Sequence, residues 1–122
     1  MSVVIYSYDK CGTCRNALKW LKQSGVACEV VPIVDRPPTE AQLQEMIANS
    51  GKPLSKWFNT SGEVYRQLSL KDKLPSMTPE EQIRLLASNG KLLKRPIVSD
   101  GQQVTVGFNE AEFGDTWTVH HV

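Results

Sequence analysis

Residues 8–15 read YDKCGTCR, which sets Cys11 and Cys14 three positions apart with Arg15 directly behind them. Two sulfurs at that spacing can bind a metal, cross-link a small fold or exchange electrons, and the flanking segments help to separate these uses. Upstream, Val3-Val4-Ile5-Tyr6 is a β-branched and aromatic run of the kind that makes a fully buried strand. Downstream, Ala17, Leu18 and Leu21 share one face of a helix predicted from about Gly12 to Ser24, with Gly25 as its stop. Val26–Ile33 reads as a second strand. Strand, helix and strand in this order predict a parallel unit with a right-handed crossover. The cysteine pair then sits where the first strand hands over to the first helix.

Beyond a loop at Arg36-Pro37-Pro38, Thr39 and Gln42 make a capping box for a second helix that carries Leu43, Met46 and Ile47 and stops near Gly51. The stretch from Lys52 to Leu74 contains Trp57, Phe58, Tyr65 and Leu68, which demand burial, so short helical pieces are expected there rather than a linker. Thr78-Pro79-Glu80-Glu81 combines an N-cap, a proline at the first helical position and a capping Glu. That third helix presents Ile83, Leu86 and Ala87 and ends at Asn89-Gly90. Pro96-Ile97-Val98 and Val104-Thr105-Val106 flank Asp100-Gly101, a hairpin signal, and Asn109 with Glu112 opens a last short helix around Phe113. The order βαβ, helices, ββα predicts an α/β, thioredoxin-like fold with a mixed four-stranded sheet. Its inserted helical subdomain covers about residues 37–92, and residues 1–122 form one domain.

The chain has 122 residues, enough for one core. It is 40% hydrophobic and 22% charged with a net charge of +1, which offers no cationic excess for direct nucleic-acid binding. Met1–Tyr8 lacks a basic start followed by a long apolar region, and no apolar run approaches the ~20 residues that span a bilayer. The expectation is a cytoplasmic protein with no membrane partner. In that compartment a lasting structural disulfide is disfavoured, and three cysteines is an odd number for a disulfide framework. A zinc site would need two more ligands. Cys28 is isolated in an apolar strand, where it reads as a small buried hydrophobe, and His120-His121 reads as a solvated tail. No metal or organic cofactor is expected. Two cysteines that merely pack remain the bland alternative to a redox pair.

A helix N-terminus leaves free N–H groups and a partial positive charge, both of which favour an anion. A thiol with an ordinary pKa of about 8.5 is only about 3% ionised at pH 7, and lowering it to about 6.5 makes it roughly three-quarters thiolate. Cys11 lies at the mouth of the first helix, and Cys14 one turn further in. Cys11 is therefore the candidate nucleophile and Cys14 the candidate resolving thiol, with Lys10, Gly12, Thr13, Arg15 and Pro96 as the expected surroundings of the thiolate. Arg95 immediately before Pro96, at the start of a strand, can mark a tight or cis peptide bond. In a thioredoxin-like plan that loop packs beside the active cysteine, where Arg95 would bind an oxyanion or support the thiolate. The other reading makes Arg95 part of a surface cluster with Lys91 and Lys94. Trp57 and Phe58 read as core.

CGTCR at 11–15, LLKRPIVSDG at 92–101 and VGFNEAEF at 106–113 resemble the arsenate reductase-like (ArsC/Spx/YffB) family over nearly the whole chain. The resemblance implies a thioredoxin-like fold with a helical insertion, a catalytic or redox-sensing Cys11, and an Arg95 that precedes a cis-proline and faces that cysteine. Arsenate reductases of this type hold the oxyanion with three arginines and draw electrons from glutathione and glutaredoxin. Here only Arg95 matches: Asn59 and Gly107 stand at the other two positions, and Cys14 replaces a serine. Two functions follow as expectations. In the first, a thiol-dependent oxidoreductase uses Cys11 to attack an oxidised substrate, Cys14 resolves the adduct, and thioredoxin, glutaredoxin or a low-molecular-weight thiol restores the dithiol. In the second, a Spx-like regulator uses the same cysteines as a redox switch for binding the C-terminal domain of the RNA polymerase α-subunit.

Overall fold

The computed structural model describes residues 3–117, so His120-His121 lies outside the described residues. The first strand, β1 (Val3–Ser7), alternates its side chains between two helical layers. Ile5 and Ser7 are buried towards α1 (Gly12–Gln23), while Tyr6 packs against the other layer. The strand is central but not buried throughout, since Val3, Val4 and Tyr6 are only half-buried. After α1 the chain turns at Gly25, whose φ of 77° suits glycine, and the Val26 N–H still bonds back to the Leu21 carbonyl. That turn uses up the start of the expected second strand, so β2 is only Cys28–Pro32.

Strands β1 and β2 run parallel, with Val3 opposite Cys28 and Ser7 opposite Pro32. Strand β3 (Ile97–Ser99) lies antiparallel on the other side of β1, and β4 (Val104–Val106) lies antiparallel beyond it. The sheet order is β2-β1-β3-β4, the mixed four-stranded sheet of the thioredoxin-like plan. Strand β2 is an edge strand, which explains why Val30 is half exposed and Cys28 only half-buried, against the expectation of a buried Cys28.

Between β2 and β3 come α2 (Glu40–Ser50), short turns at Leu54–Trp57, α3 (Glu63–Gln67), α4 (Leu70–Lys73) and α5 (Pro79–Ser88). Both capping boxes form, at Thr39/Gln42 and Thr78/Glu81. These elements cover one face of the sheet, where Leu43, Trp57, Leu86, Leu92 and Leu93 pack with Ile97, Val104 and Val106. The other face is covered by α1 and α6 (Glu110–Trp117), with Ala17, Leu21, Phe113 and Trp117 around Ile5 and Val98. There Thr105, buried on the middle strand position of β4, accepts a hydrogen bond from the Trp117 indole N–H at 3.0 Å. A buried hydroxyl without such a partner would cost about 1–3 kcal/mol.

Two contacts fix the loop that enters β3. Phe58 and Leu93 form an isolated antiparallel bridge, with Lys94 N–H donating to the Trp57 carbonyl at 2.8 Å and Asn59 N–H to that of Leu92 at 2.8 Å. Gly90 lies so close to the β2–α2 loop that an added Cβ would sit 2.0 Å from the Ile33 carbonyl oxygen. The helical insertion thus clamps the residues directly before Arg95.

Candidate redox site

The site starts from the geometry of a helix beginning. Cys11 is the N-cap of α1, with extended backbone (φ −106°, ψ 118°), and its sulfur accepts the N–H of Cys14 at 3.4 Å. Ser, Thr, Asp or Asn normally fills that role through a side-chain oxygen. A sulfur there is a poor acceptor as a thiol and a good one as a thiolate, so the cap itself favours ionisation. Gly12 and Thr13 fill the first two helical positions and are exposed, whereas the Cys14 side chain is buried.

The Arg95–Pro96 peptide is cis, Pro96 is buried, and Arg95 is half-buried. The two thiols differ sharply. Burial pushes the Cys11 thiol up, but hydrogen bonds from the Cys14 side chain and backbone, followed by the charge and hydrogen bond of Arg95, bring it below its usual value. Cys14 is pushed up to about 11 by burial, assisted by its hydrogen bond to Cys11 and the charge there, against opposing hydrogen bonds from the Tyr8 backbone and the Ser7 side chain.

The structure therefore brings together Cys11, Gly12, Thr13, Cys14, Arg95 and Pro96. It does not bring Arg15 to the sulfur: the Arg15 guanidinium turns back and donates to the Asp9 carbonyl at 3.0 Å. Lys10 is exposed and lines a neighbouring cleft of about 520 Å³ together with Ser7, Tyr8, Leu18, Val30 and Lys91. The cation that acts on Cys11 is Arg95. Cys28 pairs with Val3 at the far end of β1, about 13 Å along the strand from Ser7, and burial raises its pKa. Trp57 and Phe58 are core residues, as expected.

Two residues of the site escape a reading by spacing. Ser7 contacts the Cys14 thiol, and the alternation that turns Ile5 towards α1 would have found it one step further along β1. Tyr8 accepts the Cys11 N–H on its carbonyl at 3.1 Å, and its ring lies beneath Arg95, with Cζ 4.8 Å from the centroid. No local pattern announces that stacking.

Asn59 and Gly107, where the resemblance would expect two further arginines, are engaged otherwise. The Asn59 amide makes a long 3.5 Å contact to the Lys91 carbonyl. Gly107 has φ 80°, its N–H bonds to the Pro96 carbonyl at 2.9 Å, and the Lys94 stem lies 3.3 Å from where a Cβ would stand.

Comparison with known proteins agrees with this picture. The family model described as the ArsC family matches residues 6–116. The chain is 49% identical over 117 residues to the Bacillus subtilis protein YusI, covering 96% of this chain and 99% of that one. It is 34% identical over 98 residues to an arsenate reductase of Rhizobium meliloti, covering 80% and 69%. Relatives named as the global transcriptional regulator Spx also match, at 26% identity over 110 residues in Streptococcus mutans, covering 90% and 79%. Among solved structures, an ArsC-family-related protein from Bacteroides fragilis superposes with a TM-score of 0.91 at 47% identity, covering 94% of this chain and 97% of that one.

Proposed function

The chain belongs to the ArsC family, and we propose that it is a thiol/disulfide oxidoreductase in which Cys11 is the nucleophile and Cys14 the resolving thiol. The geometry at the start of α1 carries this reading, with the Cys11 sulfur capping the helix through the Cys14 N–H at 3.4 Å and the Cys14 side chain buried behind it; the opposed displacement of the two thiols accords with it. The Cys11 thiolate attacks one sulfur of an oxidised substrate; the substrate S–S bond breaks, and the departing thiolate takes a proton from solvent. Once Cys11 is in the mixed disulfide its negative charge is gone, and so is that part of the force holding Cys14 protonated. Cys14 then loses its proton, attacks the Cys11 sulfur and releases the second substrate thiol. Two electrons have passed to the substrate, and an external dithiol or two monothiols return them to the Cys11–Cys14 disulfide.

Mass spectrometry of variants that lack one cysteine of the pair, exposed to a small disulfide, tests the order. Cys14→Ser accumulates a mixed disulfide on residue 11, and the unsubstituted chain proceeds to the internal disulfide. A mixed disulfide that forms faster on Cys14 in Cys11→Ser would reverse the roles.

The Spx relatives support a second reading, in which the same disulfide changes affinity for a protein partner such as the C-terminal domain of the RNA polymerase α-subunit. Binding of that domain by the reduced and oxidised chain separates the two: a redox-dependent change in affinity favours the switch, and turnover of a disulfide substrate without it favours the oxidoreductase.

A further inference from the structure

Arg95 reaches Cys11 on a long, rotamer-rich side chain, and among the described residues it forms no ion pair that would hold it there. Its neighbour is the ring of Tyr8, with the guanidinium carbon 4.8 Å from the ring centroid. The negative face of an aromatic ring attracts a cation at that distance. The ring itself cannot wander, because Tyr8 is half-buried and packed against the larger core cluster. Its backbone is fixed as well, through the 3.1 Å bond from the Cys11 N–H to the Tyr8 carbonyl. One residue thus touches both halves of the site, the strand exit that carries Cys11 and the loop that carries Arg95.

We propose that Tyr8 is a positioning residue of this redox centre: its ring holds the Arg95 guanidinium within reach of the Cys11 sulfur. The ring, not the hydroxyl, does this, since the contact is to the aromatic face. The step it serves is the attack of the Cys11 thiolate, on which the Tyr8 ring acts through Arg95. This inference rests on the reading of Arg95 as the cation of Cys11, and its test separates the two.

The rate of Cys11 alkylation by iodoacetamide is followed against pH in the full chain by mass spectrometry. The chains compared are the unsubstituted one, Tyr8→Phe, Tyr8→Leu, Arg95→Ala and the Tyr8→Leu/Arg95→Ala pair. Tyr8→Phe keeps the ring and leaves the profile unchanged. Tyr8→Leu moves the Cys11 titration upward by part of the Arg95→Ala shift, slowing alkylation at pH 7 about two- to fivefold. The double variant is no slower than Arg95→Ala alone, because the ring has nothing left to position. A Tyr8→Leu profile that matches the unsubstituted chain while Arg95→Ala shifts overturns the role of Tyr8 and leaves that of Arg95 standing. Additive shifts in the pair also overturn it, because Tyr8 would then act on Cys11 by another route. No shift in Arg95→Ala overturns both. A melting curve accompanies each variant, since a merely structural Tyr8 would lower the melting temperature without moving the pH profile. Tyr8→Met serves as the second apolar variant if Tyr8→Leu melts too low.

Discussion

The N–H of Cys14 donates to the sulfur of Cys11 at 3.4 Å, so the proposed nucleophile caps the helix by holding the backbone of the proposed resolving residue. One helical turn gives the two sulfurs opposite environments: Cys11 at the open end with a nearby guanidinium, Cys14 enclosed beneath it. A pKa difference of one unit corresponds to about 1.4 kcal/mol between protonation states, so modest local contacts suffice to divide the labour.

Removing Arg95 should weaken the thiolate without unfolding the protein. Arg95→Ala raises the Cys11 pKa by a fraction of a unit to about one unit, because the helix terminus and the Cys14 N–H remain. Arg95→Lys restores part of the charge but not the fork of donors. The melting temperature changes little while Pro96 stays. Thiol titration by ultraviolet absorbance, alongside a thermal melt, checks both; an unchanged titration would return Arg95 to the surface cluster with Lys91 and Lys94.

Cys14 should make the reduced protein less stable in alkali. Its folded value of about 11 lies above that of an ordinary thiol, so its contribution is fully present below the ordinary value and disappears as pH rises through about 11. The amount is on the order of 1–3 kcal/mol. Denaturant unfolding from pH 8 to 11 measures this as the difference between the reduced chain and Cys14→Ala, which lacks the effect. Parallel pH profiles for the two would show that Cys14 titrates alike in both states.

Arsenate turnover should be negligible. Each missing arginine removes a charge-assisted contact to the oxyanion of about 1.5–3 kcal/mol, and two such losses weaken binding several hundredfold or more. Gly107→Arg does not restore it, since residue 107 has φ 80° and its Cβ would press on the Lys94 stem. Reduction assays coupled to glutaredoxin or thioredoxin decide the matter, and robust turnover by the unsubstituted chain would mean that another residue binds the oxyanion.

Gly90→Ala should be strongly destabilising, by more than about 2 kcal/mol, because its Cβ would fall 2.0 Å from the Ile33 carbonyl oxygen, a backbone atom that cannot rotate aside. Chemical denaturation tells; a loss below about 0.5 kcal/mol would mean that the turn slides away freely.

Much of the fold is legible because its signals are local. Thr39/Gln42 and Thr78/Glu81 announce capping boxes within four residues, and both form. The hairpin around Asp100-Gly101 is equally local, with the Asp100 carboxylate accepting the N–H groups of Gln102 and Gln103. The second strand is harder to delimit, because Val26 and Ala27 look like strand residues but are consumed by the turn after α1. In the site, adjacency misleads: Lys10 and Arg15 flank the cysteines in sequence, yet Arg15 folds onto Asp9 and Lys10 faces solvent. Arg95 lies more than eighty residues away from Cys11, and only the fold brings them together. The expectation that it faces the cysteine comes from resemblance, not from spacing.

The proposed division of labour requires Cys11 to be the more acidic and more reactive thiol, and Cys14 the less. Alkylation rate against pH, measured for Cys14→Ser and Cys11→Ser, tests it directly. Cys11 in Cys14→Ser should titrate below an ordinary thiol, and Cys14 in Cys11→Ser should react slowly until well into alkali. A Cys11 that titrates like free cysteine, or a Cys14 that reacts faster at pH 7, would contradict it.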